Sequence, residues 1–230
     1  MRKALNPRLT SAAEFVRQGA RFADIGTDHA YLPIFLLGEG RISYALCTDI
    51  NEGPLASAMA NAEEAGLYEK MDFRLTDGAA ALASYGITDM AICGMGGDLI
   101  ASIVEAAEFL RREDINLILQ PMTKQEALRS KLYEMGYEIA AESYSEDGGK
   151  PYVCMQVKYT GEKTELSLRG REICPENAKI VNRDLQIKYL QKKIATYKKI
   201  IGGKSAGGNY EPRELELVQM IEEYLSKGDE

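Results

Sequence analysis

The 230-residue sequence predicts an α/β fold: a mostly parallel, doubly wound sheet that ends in an antiparallel hairpin and is followed by a small all-α helical hairpin. Short apolar segments alternate with helical segments over residues 20–135, the pattern of a parallel sheet covered by helices on both faces. Two strand-like segments then flank a polar turn at 145–151. Beyond residue 175 the apolar residues recur every seven positions, as in paired helices. We therefore expect two domains, 1–160 and 161–230.

Glycine and proline divide the first part of the chain into alternating strands and helices. Thr10 or Ser11 is the predicted cap of a first helix. The predicted parallel strands are short and apolar: 21–25, 42–49, 71–76, 89–93 and 115–119. The helices between them run through 34–37, 55–65, 99–104 and 124–135, and most of them end at a glycine. The closing hairpin is predicted from strands at 137–144 and 152–159.

The C-terminal region has a seven-residue apolar repeat and an unequal distribution of charge. Its predicted seam is Ile180, Ile187, Ile194 and Ile201, broken at Gly202-Gly203 and Gly207-Gly208, with a second helix over 211–225. Residues 175–204 hold eight Lys or Arg against two acids, while residues 209–230 hold seven acids against two basic residues. Two interpretations stay open: the two faces pair with each other, or the first helix offers a basic surface to nucleic acid.

Composition limits the classes of function. The formal net charge of −7 argues against a protein that is basic overall, as many nucleic-acid binders are. The four cysteines are far apart and form no CxxC pair, so we expect neither a metal site nor a disulfide framework. No segment resembles a signal peptide or a membrane span, and we expect a cytoplasmic location and no membrane partner. We also expect a monomer.

The segment from Ala20 to Pro33 contains the clearest signs of a ligand-binding site. An apolar strand is broken at once by Gly26, and Pro33 lies where the next helix would begin. In α/β folds a strand, a glycine turn and a helix N-terminus together form a ligand-binding cleft at the carboxyl edge of the sheet. We call this cleft the mouth. Two acids and the only histidine of the chain lie within six positions there: Asp24, Asp28 and His29.

Asp49 indicates a nucleoside ligand. It ends the second strand, 23 residues after Gly26, where a carboxylate can accept hydrogen bonds from both ribose hydroxyls. The spacing alone fits both NAD and S-adenosylmethionine. A dinucleotide site needs further glycines where this chain has Asp28 and Tyr31, and the charge of Asp28 would oppose a pyrophosphate. The same charge is compatible with a cationic sulfonium, so the residues favour S-adenosylmethionine.

Three further strand ends are candidates for the same mouth. Asp77-Gly78 could receive an adenine amino group or be a simple turn. The run Gly94-Met95-Gly96-Gly97 is expected to form the opposite wall, because its glycines allow a ligand close to the backbone. Gln120-Pro121 could offer an amide to a base edge or be an ordinary turn.

Together these segments resemble the bacterial tRNA N1-adenine methyltransferases that modify adenine 22. The resemblance is carried by Asp24–Pro33, Asp49–Leu55, Gly94–Gly97 and Leu117–Pro121, and it is strongest over residues 5–155. It implies a Rossmann-like class I methyltransferase domain, the cofactor S-adenosyl-L-methionine, a coiled-coil-like C-terminal domain and a tRNA partner. The chain departs from the family at Met122, where the family usually has Asn after Gln-Pro.

The resemblance also implies site residues, by matching position. The cofactor site would be lined by Asp24, Gly26, Asp28, Asp49, Ile50, Asn51, Asp77, Gly78, Gly94, Met95 and Gly96. The candidate catalytic residues are Asp28, His29 and Tyr31. The candidate RNA contacts are Arg8, Gly97, Gln120 and Pro121, together with Lys188, Lys192, Lys193, Lys198 and Lys199 of the basic helix.

The implied reaction is methyl transfer to N1 of an unpaired or flipped adenine, because N1 lies on the Watson–Crick edge. Asp28 is the first candidate to take up the proton that the product releases, and His29 is the second. The structural alternative for His29 is a hydrogen bond that braces the turn. Other functions stay open: a methyltransferase for another RNA or a small molecule, a non-catalytic RNA-binding protein, or an NAD-dependent oxidoreductase.

Overall fold

The computed structural model describes residues 4–206 and 212–227 and confirms the predicted α/β class. Eight strands form one sheet: β1 (Ala20–Ile25), β2 (Ile42–Asp49), β3 (Met71–Leu75), β4 (Asp89–Gly96), β5 (Asn116–Thr123), β6 (Tyr137–Asp147), β7 (Lys150–Tyr159) and β8 (Lys179–Ile180). Their order across the sheet is β3-β2-β1-β4-β5-β7-β6-β8. Strands β1 to β5 are parallel, β7 is antiparallel to both β5 and β6, and β8 lies parallel to β6. The parallel sheet and its closing hairpin are therefore as predicted, whereas β8 is an addition.

Helices cover both faces of this sheet. They are α1 (Pro7–Phe15), α2 (Tyr31–Gly38), α3 (Glu52–Glu64), α4 (Gly97–Ala106), α5 (Gln125–Glu134), α6 (Leu168–Glu172), α7 (Arg183–Ala206) and α8 (Pro212–Ser226). Short 3-10 turns lie at 68–70, 80–85 and 108–110. Within residues 4–206 and 212–227, no helix combines the length and the apolar character needed to cross a membrane.

The first helix begins earlier than predicted. Its cap is Asn6, whose Oδ1 accepts a hydrogen bond from the Leu9 backbone N–H at 2.9 Å. Pro7 follows at the first helical position, where its missing N–H costs nothing. The predicted cap at Thr10 or Ser11 is therefore wrong, and the earlier start brings Arg8 into the helix.

Two strands run further toward the ligand edge than predicted. β4 continues through Gly94 and Met95 to Gly96, and β5 continues to Thr123. Met95 pairs with Pro121 and Gly96 with Thr123, with a register shift on either side of Met95. The glycine run, which was expected to begin after the strand, is therefore part of β4 as far as Gly96 and is held by β5 along one side.

Alternating strand residues supply two apolar clusters, one on each face. Phe22, Ala45 and Ile118 pack with α1, α2 and α3, whereas Ala23 and Ile92 belong to the cluster on the opposite face. The central strands are buried on both faces of the sheet, which explains why their sequences are continuously apolar.

The C-terminal helices join the second of these clusters. Leu190 and Ile194 of α7 and Ile221 of α8 are buried in the same cluster as Tyr144 and Val157 of the closing hairpin. The domain division at residue 160 stays a prediction, but removing residues 162–230 would expose this shared core.

Two details of the predicted helical seam are wrong. Ile180 lies in β8 and not in a helix, because residues 179–180 pair with β6. Helix α7 also continues through Gly202-Gly203 to Ala206 instead of ending there. The predicted break at Gly207-Gly208 lies outside the described residues.

Candidate cofactor and substrate site

The carboxyl ends of β2, β1 and β4 lie side by side and bring the predicted mouth together. Asp24 of β1 is paired with Cys47 of β2 on one side and with Ala91 of β4 on the other. Three connections therefore leave the sheet at one place: the turn after Ile25, the segment after Asp49 and the glycine run of β4. This convergence follows from the strand order and was expected from the sequence.

The turn after β1 is fixed by hydrogen bonds to its neighbours. Both the Gly26 and the Thr27 backbone N–H donate to the Thr48 carbonyl, at 2.8 and 2.9 Å. The Thr27 hydroxyl donates to the Asp24 carboxylate at 2.7 Å. From the other side, the Asn61 amide of α3 donates to the His29 carbonyl at 2.9 Å. The turn is thus shaped before any ligand arrives.

The three candidate catalytic residues form one solvent-accessible cluster on this turn. The His29 and Tyr31 rings stack with centroids 5.1 Å apart, and His29 Nε2 lies 3.7 Å from Asp28 Oδ1. The Asp28 side chain is 68% exposed and that of His29 is 43% exposed. Asp28 and Ala30 both have left-handed backbone conformations, with φ of 48° and 55°. Such strain in residues other than glycine is concentrated at functional sites.

Asp24 is a buried acid at the base of the turn. Burial raises the pKa of its carboxyl group from 3.8 to about 7, and the nearby Asp49 adds to the rise. The hydrogen bond from Thr27 and the charge of Arg8 act in the opposite direction. The mouth therefore has a carboxyl group whose charge changes near neutral pH.

The segment after β2 combines an acid with an exposed apolar side chain. The carboxylate of Asp49 accepts a hydrogen bond from the Asn51 backbone N–H at 2.9 Å, which fixes its orientation. Ile50 is 63% exposed, although it is a large apolar residue. Asp77 is exposed beyond β3, beside Gly78, whose φ is +64°. The carboxylate of Asp49, the apolar surface of Ile50 and the carboxylate of Asp77 thus follow one another along the carboxyl edge of the sheet.

Glycines on both sides of the mouth allow neighbouring atoms to pack directly against the backbone. A Cβ atom on Gly26 would lie 2.2 Å from Met95 Cε, and one on Gly97 would lie 2.3 Å from the Lys124 carbonyl oxygen. Gly94 has a φ of +80°. Met95 therefore packs directly on the turn after β1 and links the two walls, while Gly97 packs directly on the residue that precedes α5.

Arg8 and Gln120 lie beneath the glycine run. Gln120 Oε1 accepts hydrogen bonds from Arg8 Nη1 at 2.6 Å and from the Gly94 backbone N–H at 3.1 Å. The amide nitrogen of Gln120 donates to the Pro121 carbonyl at 3.0 Å. Gln120 is completely buried and Pro121 is buried, whereas Met122 is 39% exposed. In this arrangement Arg8 and Gln120 brace the wall from inside, and contact of either with RNA stays a prediction.

The five lysines of the basic helix do not share one environment. Lys193 is mostly buried and forms an ion pair with Glu172 at 2.7 Å, and burial lowers its pKa. Lys198 pairs with Glu222 of α8, also at 2.7 Å. Lys192 donates to the Gly149 carbonyl in the β6–β7 turn, and Lys188 and Lys199 are exposed. Internal pairing thus applies to Lys193 and Lys198, and a basic surface remains open for the other three.

Several residues that shape the site were not found from the sequence. Thr48 and Asn61 act through hydrogen bonds between distant segments, and no local pattern marks them. Only Thr27, next to Gly26, carried a signal, since hydroxyl side chains are favoured in turns. Within the described part of the chain, no group of three His, Cys, Asp or Glu side chains is placed to hold a metal ion.

Comparison with known proteins adds to this geometry. A family model described as a methyltransferase domain matches residues 5–155. Over 148 residues the chain is 37% identical to the tRNA (adenine(22)-N(1))-methyltransferase of Bacillus subtilis, a match that spans 64% of this chain and 62% of that relative.

Solved structures cover nearly the whole chain. A Streptococcus pneumoniae protein in complex with S-adenosyl-L-methionine has a TM-score of 0.79 and 33% identity, over 94% of this chain and 97% of that one. TrmK of M. capricolum, in complex with S-adenosyl-homocysteine, has a TM-score of 0.77 and 26% identity, over 98% of this chain and 99% of that one.

Proposed function

Because the chain belongs to the family of class I methyltransferases that includes the bacterial tRNA (adenine-22 N1)-methyltransferases, we propose that it methylates N1 of adenine 22 in tRNA. The observation that carries the proposal is the Asp28, His29 and Tyr31 cluster, which is exposed on the same strained turn as Gly26. A tRNA substrate also implies that the protein works in the cytoplasm.

The residues of the mouth fit S-adenosyl-L-methionine, which supplies an electrophilic methyl group on a positively charged sulfur. Asp49 is held with its carboxylate at the strand end, where ribose hydroxyls would donate to it. The exposed side chain of Ile50 suits the face of an adenine ring, and Asp77 suits its amino group. Gly26 and Gly94 have no side chains and would allow the methionine part close to the backbone near Asp24 and Asp28, whose carboxylates favour a cation.

The substrate must present N1 of adenine outside a base pair. The His29 and Tyr31 rings form an aromatic platform beside Asp28, and a flipped base gains stacking energy on such a surface. Neutral adenine already has its lone pair on N1, so no group has to remove a proton before attack. Positioning is the main task of the protein in this step.

Asp28 is the proposed acceptor of the proton that leaves N6 after methylation. The methylated base is a cation until that proton departs, and an exposed carboxylate stabilises the charge and accepts the proton directly or through water. His29, at 3.7 Å, orients Asp28 and is the second acceptor.

The test is methylation of total bacterial RNA by the wild-type protein and by Asp28→Asn, followed by nucleoside analysis. Asparagine tolerates the left-handed conformation at this position, so the substitution removes the charge without adding strain. We expect 1-methyladenine from the wild type and a rate about 100-fold lower from the variant. Binding of S-adenosyl-homocysteine, measured by calorimetry, should change less than ten-fold. Absence of 1-methyladenine with the wild type would refute the proposed function.

A further inference from the structure

Strand β3 is the outermost strand at one end of the sheet, next to β2. The Thr76 N–H, directly after β3, donates to the Asp49 carbonyl of β2 at 3.0 Å, so the backbone at position 76 faces inward. Backbone groups point alternately to the two sides of a strand. Those of Met71, Phe73 and Leu75 therefore face away from β2, and an edge of this kind can pair with another strand.

A groove of about 440 Å³ lies against this edge strand, between β3, α3 and the 3-10 turn at 68–70. Apolar and aromatic residues from all three elements line it: Leu55, Met59, Tyr68, Met71 and Phe73. The charged residues of its lining are Glu69, Asp72 and Arg74. The Tyr68 and Phe73 rings stack with centroids 5.5 Å apart and form one wall. The groove thus has room for a large apolar side chain.

Leu75, at the end of the same strand, is a large apolar residue that is left 53% exposed. Side chains alternate between the two faces of a strand, so Leu75 shares a face with Met71 and Phe73, which line the groove. If a second copy of the chain runs antiparallel to the first, its Leu75 lies beside Met71 of the first copy, at the groove. The strand thus carries both a projecting side chain and the groove that receives it from a second copy.

The backbone groups of β3 match in one symmetric register. When Phe73 lies opposite the same residue of the second copy, Leu75 lies opposite Met71, and the outward backbone groups of both strands meet. The two Phe73 residues then exchange two hydrogen bonds. The Leu75 N–H of each copy donates to the Met71 carbonyl of the other. The Met71 N–H stays with the Tyr68 carbonyl of its own chain.

The same register brings opposite charges together on the other face of β3. Asp72 of each copy lies opposite Arg74 of the other, at the closer spacing of positions that share no backbone hydrogen bond. Within one chain, Asp72 accepts a hydrogen bond from the Tyr44 hydroxyl at 2.9 Å. Arg74 donates to the Tyr85 hydroxyl, also at 2.9 Å, so both side chains are held at the edge. The charges therefore favour a second copy of this chain over a strand of unrelated sequence.

We propose that β3 is the contact surface of a two-fold dimer, in which two copies of this chain pair antiparallel about Phe73. Each Leu75 enters the groove of the other copy, and two pairs between Asp72 and Arg74 flank the axis. The dimer replaces the monomer expected from the sequence, and it does not depend on the proposed reaction. The contact uses five residues of each strand together with the groove, so association is weak, with a dissociation constant on the order of 10 µM.

The test is sedimentation equilibrium of the full chain from about 1 to 300 µM, where mass action separates monomer from dimer. Asp72→Lys makes both cross-strand positions positive and Arg74→Glu makes both negative, so either variant alone should associate at least ten-fold more weakly than the wild type. An equimolar mixture of the two restores opposite charges and should associate within about three-fold of the wild type. Circular dichroism checks that each variant is folded.

The exposed leucine has a matched control elsewhere in the chain. Leu75→Gln should weaken association at least five-fold, because the side chain that enters the groove becomes polar. Leu99→Gln changes a leucine that is also 53% exposed but lies in α4, and this variant should associate like the wild type.

A wild type that stays monomeric up to the highest concentration would overturn the proposal. So would a dimer that neither charge variant weakens, since its contact would lie elsewhere. A mixture that associates no better than its two components would show that Asp72 and Arg74 do not face each other, and would overturn the register. Equal losses in Leu75→Gln and Leu99→Gln would refute the seating of Leu75 in the groove.

Discussion

Two buried aspartates, Asp89 and Asp24, lie at opposite edges of the sheet and differ in how their charges are compensated. Asp89 begins β4 at the amino edge, and its carboxylate accepts hydrogen bonds from the Arg17 backbone and guanidinium and from the Asn116 amide, at 2.7 to 3.0 Å. Asp24 is the second-last residue of β1 and lies at the carboxyl edge. Among the described residues one hydrogen bond reaches its carboxylate, from the Thr27 hydroxyl.

The difference shows how one sheet separates stability from function. The carboxylate of Asp89 is well supplied with hydrogen-bond donors. Through Arg17 and Asn116 it links the end of α1 to β4 and β5 at the amino edge. A carboxyl group with few donors, whose pKa is raised to about 7, is costly for the fold but leaves charge at the ligand edge. The carboxyl group at the ligand edge thus has fewer hydrogen-bond donors than the one at the amino edge.

The largest expected effect is that of Asp89→Ala. Removing the acid leaves the Asn116 amide, the Arg17 backbone N–H and the half-exposed Arg17 guanidinium without their acceptor at once. A buried donor that is left unsatisfied costs about 1–3 kcal/mol, so several such losses together make this the largest effect. Urea unfolding should show this loss. Asp114→Ala, which breaks the exposed pair with Arg112, is the control and should leave the unfolding midpoint unchanged. Similar midpoints for the two variants would remove the proposed role of the amino edge.

Asp24→Asn should stabilise the protein at neutral and higher pH. Between about pH 4 and pH 7 Asp24 is protonated in the folded state and ionised in the unfolded state, so folding takes up a proton and stability falls as pH rises. The asparagine variant lacks this dependence. Its advantage over the wild type should be small at pH 4 and reach on the order of 2–4 kcal/mol at pH 8. An advantage that does not change with pH would contradict the raised pKa of Asp24.

The smallest expected effects are those of alanine substitutions at the two glycines that flank β1. Gly19 and Gly26 have φ of +77° and +69°, so alanine at either position should cost about 1 kcal/mol of stability. A Cβ on Gly19 meets nothing within 4 Å, whereas one on Gly26 displaces Met95. Gly26→Ala should therefore weaken S-adenosyl-homocysteine binding about ten-fold, while Gly19→Ala leaves it unchanged. Calorimetry would reveal equal affinities if the ligand did not lie on this turn.

The sequence predicted that these strand ends converge at one edge of the sheet, because each of them is marked locally. Gly26, Asp49 and the glycine run each follow an apolar strand, and strand β2 has the predicted bounds, 42–49. The parts that were missed depend on contacts far apart in the chain. Arg8 and Gln120 are separated by 112 positions, and no local pattern joins them.

The charged residues of α7 also depend on contacts with residues far apart in the chain. Lys192 and Lys193 are neighbours in sequence, but the Lys193 side chain is mostly buried beside Glu172, whereas that of Lys192 is exposed. Counting charges could not separate them, because their environments depend on how α7 lies against the hairpin. Likewise α7 passes through Gly202-Gly203 because two glycines weaken a helix without ending it.

The most direct measurement of the central claim uses two transcripts of one tRNA, identical except that adenine 22 is replaced by guanine in the second. Each is incubated with the wild-type protein and methyl-labelled S-adenosyl-L-methionine, and the labelled nucleoside is identified. We predict that label enters only the first transcript and is recovered as 1-methyladenine. Label in both transcripts, label on another atom of adenine, or no label at all would contradict the account.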